Sequence, residues 1–306
     1  IIMDLFLTTG YHRRPAPLVA EVKGFFSSEG LEVRYDLATY APEHNQGMAE
    51  GRWNLSLSSP DTMIARMTTD GVDYRLFMQA EAGLDAVLVG RAGITAVEEL
   101  RGKLLAGDPG DSNLDLIRRK ILRTHGIRED EYEVEIIGSS PRRLEAFLEG
   151  RVAAAMLTSP SSEKALAAGG VILANAEEYV PNWPLTGGWA LREWAEKNHG
   201  LVVRFIRAWV KATDWLLRPE HREETIQLIM KLEGLSRARA EKSYRNVVPK
   251  AGIDPAALLA VLKLRREMGV YRPPFSPAEH FYDAGYWCEA TGLPAPQPAG
   301  MPEGVL

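Results

Sequence analysis

Two turns of nearly the same composition, Ser58-Ser59-Pro60 and Thr158-Ser159-Pro160, gather hydroxyl groups where helices are expected to begin. Proline suits the first position of a helix, and a hydroxyl just before it suits the cap. A helix start also offers free backbone N–H groups backed by the positive end of the helix dipole, a setting that holds anionic atoms. Ser59 and Ser159 are expected to cap their own helices, which leaves Ser58 and Thr158 as the freer contacts. The stretch TTGYHRRPAPL (8–18) brings Gly10, Tyr11, His12, Arg13 and Arg14 to another helix start, and GDPGDSNLDLI (107–117) brings Asp108, Asp111, Ser112 and Asn113 to a third. There Asp111 is the expected N-cap, with Ser112 and Asn113 as contacts. A basic loop and an acidic loop suit a ligand with one anionic end and one polar or cationic end. The competing reading makes Arg13, Arg14 and Asp108 solvated surface charges.

Aromatic and basic groups extend this set. Trp183 stands beside two prolines in VPNWPLTGGWAL (180–191), placed to wall an organic ligand that Thr186, Gly187 and Gly188 approach closely. His12 and His44 follow strands of the first series and are the candidate bases for acid–base chemistry. For His44, in YAPEHNQGM, an exposed place at a helix start is the competing reading.

These turns need a scaffold, and the hydropathy pattern describes one. Apolar runs of strand length (MDLFLTT, LEVRYDL, WNLSLS, YRLFMQA, DAVLVG) alternate with helical patterns, and a second series (KLLAG, EVEII, VAAAML) follows the turn at Gly93. Strands separated by helices imply parallel sheets covered on both faces, with ligands at the carboxyl ends of the strands. Beyond Trp194 the spacing is helical without strands, which puts Trp209 and Trp215 in a core. The Pro-rich end, LPAPQPAGMPEGVL, is expected as a loose tail. The Ser-Pro turns belong to a longer echo, EGRWNLSLSSP at 50–60 and EGRVAAAMLTSP at 149–160. It marks either two lobes of similar plan or a coincidence of common boundary signals.

Composition narrows the function classes. A chain of 306 residues holds one large domain or two modest ones, and its net charge of −5 with scattered basic residues argues against nucleic acid as a partner. No apolar run approaches the ~20 residues that a membrane-spanning helix needs. The single cysteine, Cys288, excludes an internal disulfide and a cysteine-built zinc site. There is no P-loop, GxGxxG, GxSxG or HExxH, and neither metal nor cofactor is expected. The opening IIMDLFLTTG reads as a core strand, so either an export signal precedes Ile1 or Met3 is a native start.

Lys23-Gly24-Phe25-Phe26 followed by Glu29-Gly30-Leu31-Glu32-Val33 resembles the opening of ABC-importer solute-binding proteins. The similar branch serves nitrate, sulfonates, taurine and thiamine-pyrimidine precursors. The likeness continues through Gly51 to Pro60, Glu99-Leu100-Arg101-Gly102-Lys103, and Leu148, Gly150, Val152, Ala153, Ala154 and Pro160, with Ala153 where that branch has Asp; it runs on to YDAGYWCEATGLP (282–294). It implies the α/β, two-lobed type II periplasmic-binding-protein fold. Each lobe would be a mostly parallel sheet flanked by helices, with two hinge crossovers, a helical C-terminal region and closure on ligand. The lobes are expected at 1–89 plus 187–306 and at 90–186, the late helices packing on the first. The function implied is capture of a small organic solute, anionic or heterocyclic, by a monomeric exported or periplasmic protein that serves a membrane permease and ATPase. A native start at Met3 would instead make it cytoplasmic. The expected ligand contacts are Gly10, Tyr11, His12, Ser58 and Ser59 in the first lobe, Ser112, Asn113, Thr158 and Ser159 in the second, and Trp183 and Thr186 near the return crossover.

The same fold carries a pyrimidine-forming synthase, an aromatic desulfinase and decarboxylases of aromatic acids. The cysteines of the first two have no counterpart in this chain. The alternative expectation is therefore a non-redox enzyme, for example a decarboxylase of a small aromatic or heterocyclic acid, using His12 or His44.

Overall fold

A computed structural model describes residues 3–9, 13–37 and 41–300. The chain divides into one unit of Ile1–Ala82, Pro184–Leu259 and Phe275–Leu306, and another of Gly83–Trp183 and Ala260–Pro274. The strands in chain order are β1 (Met3–Thr9), β2 (Leu31–Leu37), β3 (Leu55–Ser58), β4 (Tyr74–Ala82), β5 (Ala86–Gly90), β6 (Leu104–Gly107), β7 (Glu133–Ile136), β8 (Ala154–Thr158), β9 (Val171–Asn175) and β10 (Pro184–Leu191). The first seven helices are α1 (Pro15–Val22), α2 (Phe25–Ser28), α3 (Ala41–Ala49), α4 (Pro60–Asp70), α5 (Asn113–Thr124), α6 (Ser140–Leu148) and α7 (Ser161–Ala167).

The first sheet runs β2-β1-β3-β10-β4 and the second β7-β6-β8-β5-β9. β1 is parallel to β2 and β3, whereas β10 is antiparallel to both β3 and β4. β6 is likewise parallel to β7 and β8, and β5 is antiparallel to β8 and β9. Each sheet is thus parallel except for its fourth strand, and that strand is the first one laid down after the chain crosses from the other unit.

This order accounts for the echo. β3 and β8 hold the same place in their sheets. The Glu-Gly-Arg before each closes a helix: Gly51 and Gly150 sit at φ 72° and 74°, in the left-handed region that glycine adopts freely. Arg52 N donates to Gly47 O at 2.8 Å and Arg151 N to Ala146 O at 3.0 Å, while Gly51 N and Gly150 N reach Met48 O and Phe147 O. That pairing is the Schellman motif in both copies. The Ser/Thr-Ser-Pro after each strand then leads into α4 or α7.

Three placements differ from the sequence reading. DAVLVG was expected in the first series, but it forms β5 of the second sheet, because the chain already passes between units at Ala82–Gly83. PLTGGWAL, expected as a crossover, is strand β10. Residues 260–274 group with the second unit, where Lys120 Nζ binds Glu267 at 2.8 Å and Arg119 Nη2 donates to Met268 O at 2.9 Å. The tail is also tethered as far as Gly300, since Ala299 N and Gly300 N donate to Glu279 Oε1 at 2.7 and 3.1 Å.

The first unit's core joins Leu5, Leu7, Leu55 and Leu57 of the sheet to Phe26, Phe205, Ile206 and Trp209. Phe26 and Phe205 stack 5.8 Å apart. Trp209 is buried as expected, but Trp215 is only half-buried, lying 4.3 Å below the Lys23 ammonium and 3.9 Å from the His221 ring. The second core gathers Val89, Ala106, Leu144, Phe147, Ala155 and Leu157. No helix among the described residues is long and apolar enough to cross a membrane.

β10 fits between β3 and β4 only because two glycines lie in its middle. A Cβ at Gly187 would overlap Leu76 Cδ1 and come within 3.1 Å of Met78 O and Pro60 Cγ. Gly187→Ala should therefore cost about 1–3 kcal/mol of stability in urea unfolding. Gly200→Ala, in a helix where an added Cβ meets nothing within 4 Å, should be neutral or stabilise by up to about 1 kcal/mol. Equal effects at the two positions would contradict the packing argument.

Candidate functional site

In the first unit, Ser58, Ser59, Thr186 and Glu81 come to the carboxyl edge of the parallel strands. β10 enters the sheet at that edge and pairs Thr186 with Glu81 and Gly187 with Ser58. Glu81, 1% exposed, accepts a bond from Thr186 Oγ1 at 3.0 Å and an ion pair from Arg14 Nη1 at 3.1 Å. A buried carboxylate needs such partners, since desolvating it alone costs several kcal/mol. Arg13 is likewise engaged, by Glu233 at 3.0 Å and Glu21 at 2.7 Å. The two arginines are neither solvated charges nor a ready anion clamp.

At the Ser-Ser-Pro turn Ser59 takes the expected N-cap position of α4 but not the expected capping bond, and its Oγ is buried without a hydrogen-bond partner among the described residues. Ser58 Oγ instead lies 2.7 Å from Ser56 Oγ, which lies 2.9 Å from His44 Nε2. His44 is 6% exposed, so the surface reading of it is wrong. The rings of Trp53 and Trp189 pack around it at 6.3 and 5.6 Å between centroids. Thr8 Oγ1 and Arg14 Nε, at the same end of the sheet, are also buried without partners among the described residues. Gly10, Tyr11 and His12 lie outside the described residues.

In the second unit, Asp108, Ser112, Asn113, Thr158 and Ser159 come to the corresponding edge. Ser112, not Asp111, is the N-cap of α5, accepting from Asp115 N at 3.3 Å. Asn113 Oδ1 accepts from Leu114 N at 2.8 Å. The N-cap of α7 is Pro160, not Ser159, so the second turn departs from the first. Thr158 N donates to Ser140 Oγ at 3.0 Å. Asp108 meets the guanidinium of Arg143 at 3.3 Å, and Arg143, 1% exposed, also donates to Met156 O at 2.9 Å and to Gly138 O. Burial pushes the Asp108 carboxyl up, and Arg143 opposes that. Burial likewise raises Asp115 against its partner Arg118, whose Nε and Nη1 have no hydrogen-bond partner while its guanidinium lies 5.5 Å over the Tyr132 ring. Trp183 is fully buried with Nε1 unpartnered. No group of three or more His, Cys, Asp or Glu able to hold a metal occurs among the described residues.

The sequence reading missed Glu81, Arg143 and Ser56. Helical spacing carried a signal for two inward-facing polar residues: Arg143 precedes Phe147 by one turn, and His44 precedes Met48 by one turn, with both apolar partners buried. Nothing comparable marked Glu81, whose strand is buried along nearly its whole length.

Burial holds the His44 imidazole below its usual range, with the Asn45 contact opposing. In the unfolded chain the same ring takes up a proton near pH 6.5. Below that pH the unfolded state binds more protons than the folded state, so stability should fall as pH drops from about 6.5 towards the lowered value. His44→Gln should flatten this part of a stability-versus-pH curve measured by urea unfolding. An unchanged slope would mean that the ring is not kept neutral.

Solved structures share this architecture. The periplasmic aliphatic sulphonate-binding protein SsuA of Escherichia coli superposes with a TM-score of 0.72 at 16% identity, over 94% of this chain and 100% of that one. The periplasmic nitrate-binding protein NrtA of Synechocystis PCC 6803 gives 0.73 at 13% identity, over 95% and 89%. The desulfurization enzyme DSZB gives 0.70 at 15%, over 94% and 99%. At such identities the likeness establishes the fold, here that of the periplasmic-binding proteins. By sequence, no curated protein matches the chain. The model of the NMT1/THI5-like family matches residues 16–222, well over half of the chain, and the chain belongs to that family.

Proposed function

We propose that the chain is the substrate-binding component of an ABC importer and captures a small organic anion, drawing contacts from the carboxyl edge of the first unit's sheet. The observation that carries this is the set of buried polar atoms at the first edge without partners among the described residues: Thr8 Oγ1, Arg14 Nε and Ser59 Oγ. Buried polar groups are paired in the great majority of cases, so a cluster of orphans fits a ligand that brings its own oxygens. The charged groups at both edges are already compensated, Glu81 by Arg14 and Asp108 by Arg143. An anion is then held by hydrogen bonds from fixed donors, Arg14 Nε among them, and not by an uncompensated cation. Membership of the family and the folds of the sulphonate- and nitrate-binding proteins support the same reading. It implies a periplasmic site of action, with a membrane permease and its ATPase as partners.

One observation favours an acid–base enzyme instead: an imidazole, His44, linked through two hydroxyls to the sheet edge. A single assay separates the two readings. A panel of alkanesulfonates, taurine, nitrate and small aromatic carboxylates is screened by thermal shift, and each hit is then followed for conversion. Capture predicts a hit that raises stability by roughly 2.7 kcal/mol at 100 times its dissociation constant and is recovered unchanged. Ser58→Ala should weaken that hit about 5- to 150-fold, with little change in the unliganded melting temperature. A Ser58→Ala variant that binds normally, or a hit that is consumed, would overturn the reading.

A further inference from the structure

We propose that His44 and Ser56 are positioning residues that turn the Ser58 hydroxyl into an outward hydrogen-bond donor, so that this edge selects ligand oxygens carrying negative charge. The inference rests on the capture reading and specifies how that site reads charge.

The chain of contacts has one end buried and one end open. Ser56 is completely buried and His44 nearly so, whereas Ser58 is only half-buried at the end of β3. Of the three, only Ser58 is open to a ligand. Hydroxyls pass hydrogen bonds in one direction at a time, so protons point either from His44 towards Ser58 or from Ser58 towards His44. The imidazole decides which. Among the described residues, its Nε2 has a good partner, Ser56 Oγ at 2.9 Å, while Nδ1 has only Asn45 Oδ1 at 3.4 Å. A neutral ring carries one N–H, and a buried N–H without a good acceptor costs about 1–3 kcal/mol. Placing the proton on Nε2 avoids that loss.

With Nε2–H donating to Ser56, the Ser56 proton goes to Ser58 Oγ at 2.7 Å, and the Ser58 proton is left to point outward. Donation along a chain polarises each following O–H, which strengthens the last donor. An anionic oxygen meets that donor favourably, whereas a cationic group meets the positive end of the O–H and is left one remaining lone pair of Ser58 Oγ. The ring is insulated from competing charge. Trp53 and Trp189 pack on it, Trp53 Nε1 binds Asp36 at 3.0 Å, and the nearby Glu43 and Arg52 pair with each other at 3.2 Å on the surface.

The test has an arm that needs no ligand. In the full chain labelled with 15N-histidine, long-range 1H–15N correlations report which ring nitrogen carries the proton, and His44 is assigned by its loss in His44→Gln. The expected result at pH 7 is a neutral ring protonated on Nε2. A proton on Nδ1, or an imidazolium, would overturn the proposal. The second arm titrates ethanesulfonate by calorimetry. Ser56→Ala, which removes a group that cannot touch the ligand, should weaken binding about 10-fold, and adding Ser58→Ala should change it little further. His44→Gln, which keeps an N–H donor, should stay within about 3-fold of wild type, while His44→Leu should lose about 10-fold. Unchanged affinity in Ser56→Ala, or strict additivity with Ser58→Ala, would also overturn it. If wild type binds no member of the panel, the capture reading fails, and the tautomer measurement still decides the direction of the relay.

Discussion

A chain that re-enters a parallel sheet in the opposite direction must match the hydrogen-bond pattern of two neighbours at once. β10 does this between β3 and β4, and the first unit's edge depends on it. The fit leaves no volume for side chains at its centre, where Gly187 and Gly188 lie against Leu76, Met78 and Phe77. The same insertion carries Thr186 to Glu81 and fixes the register that sets Gly187 beside Ser58. Bulk added to β10 would thus disturb the sheet before it reached any ligand contact. The second sheet repeats the device with β5, so both edges are built by strands arriving from the other unit.

Each edge encloses a carboxylate and answers it locally. Glu81 takes Arg14 and Thr186; Asp108 takes Arg143. Arg143 also binds the carbonyls of Met156 and Gly138, so it ties α6 to β8 while it neutralises Asp108. Replacing such a pair by apolar groups can be neutral, but removing one partner strands a buried charge. These groups therefore fix geometry more than they supply net attraction.

Much of this was legible in the sequence, for physical reasons. Period-two alternation in MDLFLTT and LEVRYDL reflects a sheet with contrasting faces, and the Glu-Gly-Arg echo reflects a left-handed glycine closing a helix in both copies. What was lost depends on contacts distant in sequence. β10 has two glycines where an apolar pattern would reveal a strand. The burial of His44 comes from Trp53 and Trp189, and Trp189 lies far along the chain. That the Ser59 hydroxyl makes no capping bond while the Ser58 hydroxyl joins Ser56 and His44 is contained in no local rule for Ser-Ser-Pro.

The direction of that relay also bears on whether the fold is used here for capture or for chemistry. A general base must present a lone pair to the proton it removes. With its proton on Nε2, His44 donates towards Ser56 and has no lone pair on that side, so it cannot withdraw a proton from Ser58 through Ser56. With the proton on Nδ1, the same atoms at the same 2.9 and 2.7 Å would run the other way and make Ser58 a nucleophile activated through an intervening hydroxyl. The long contact from Nδ1 to Asn45 disfavours that arrangement. Within one set of heavy-atom positions, then, whether His44 can act as a base towards Ser58 depends on the location of one proton on a buried ring, and the geometry around that ring favours the tautomer that cannot.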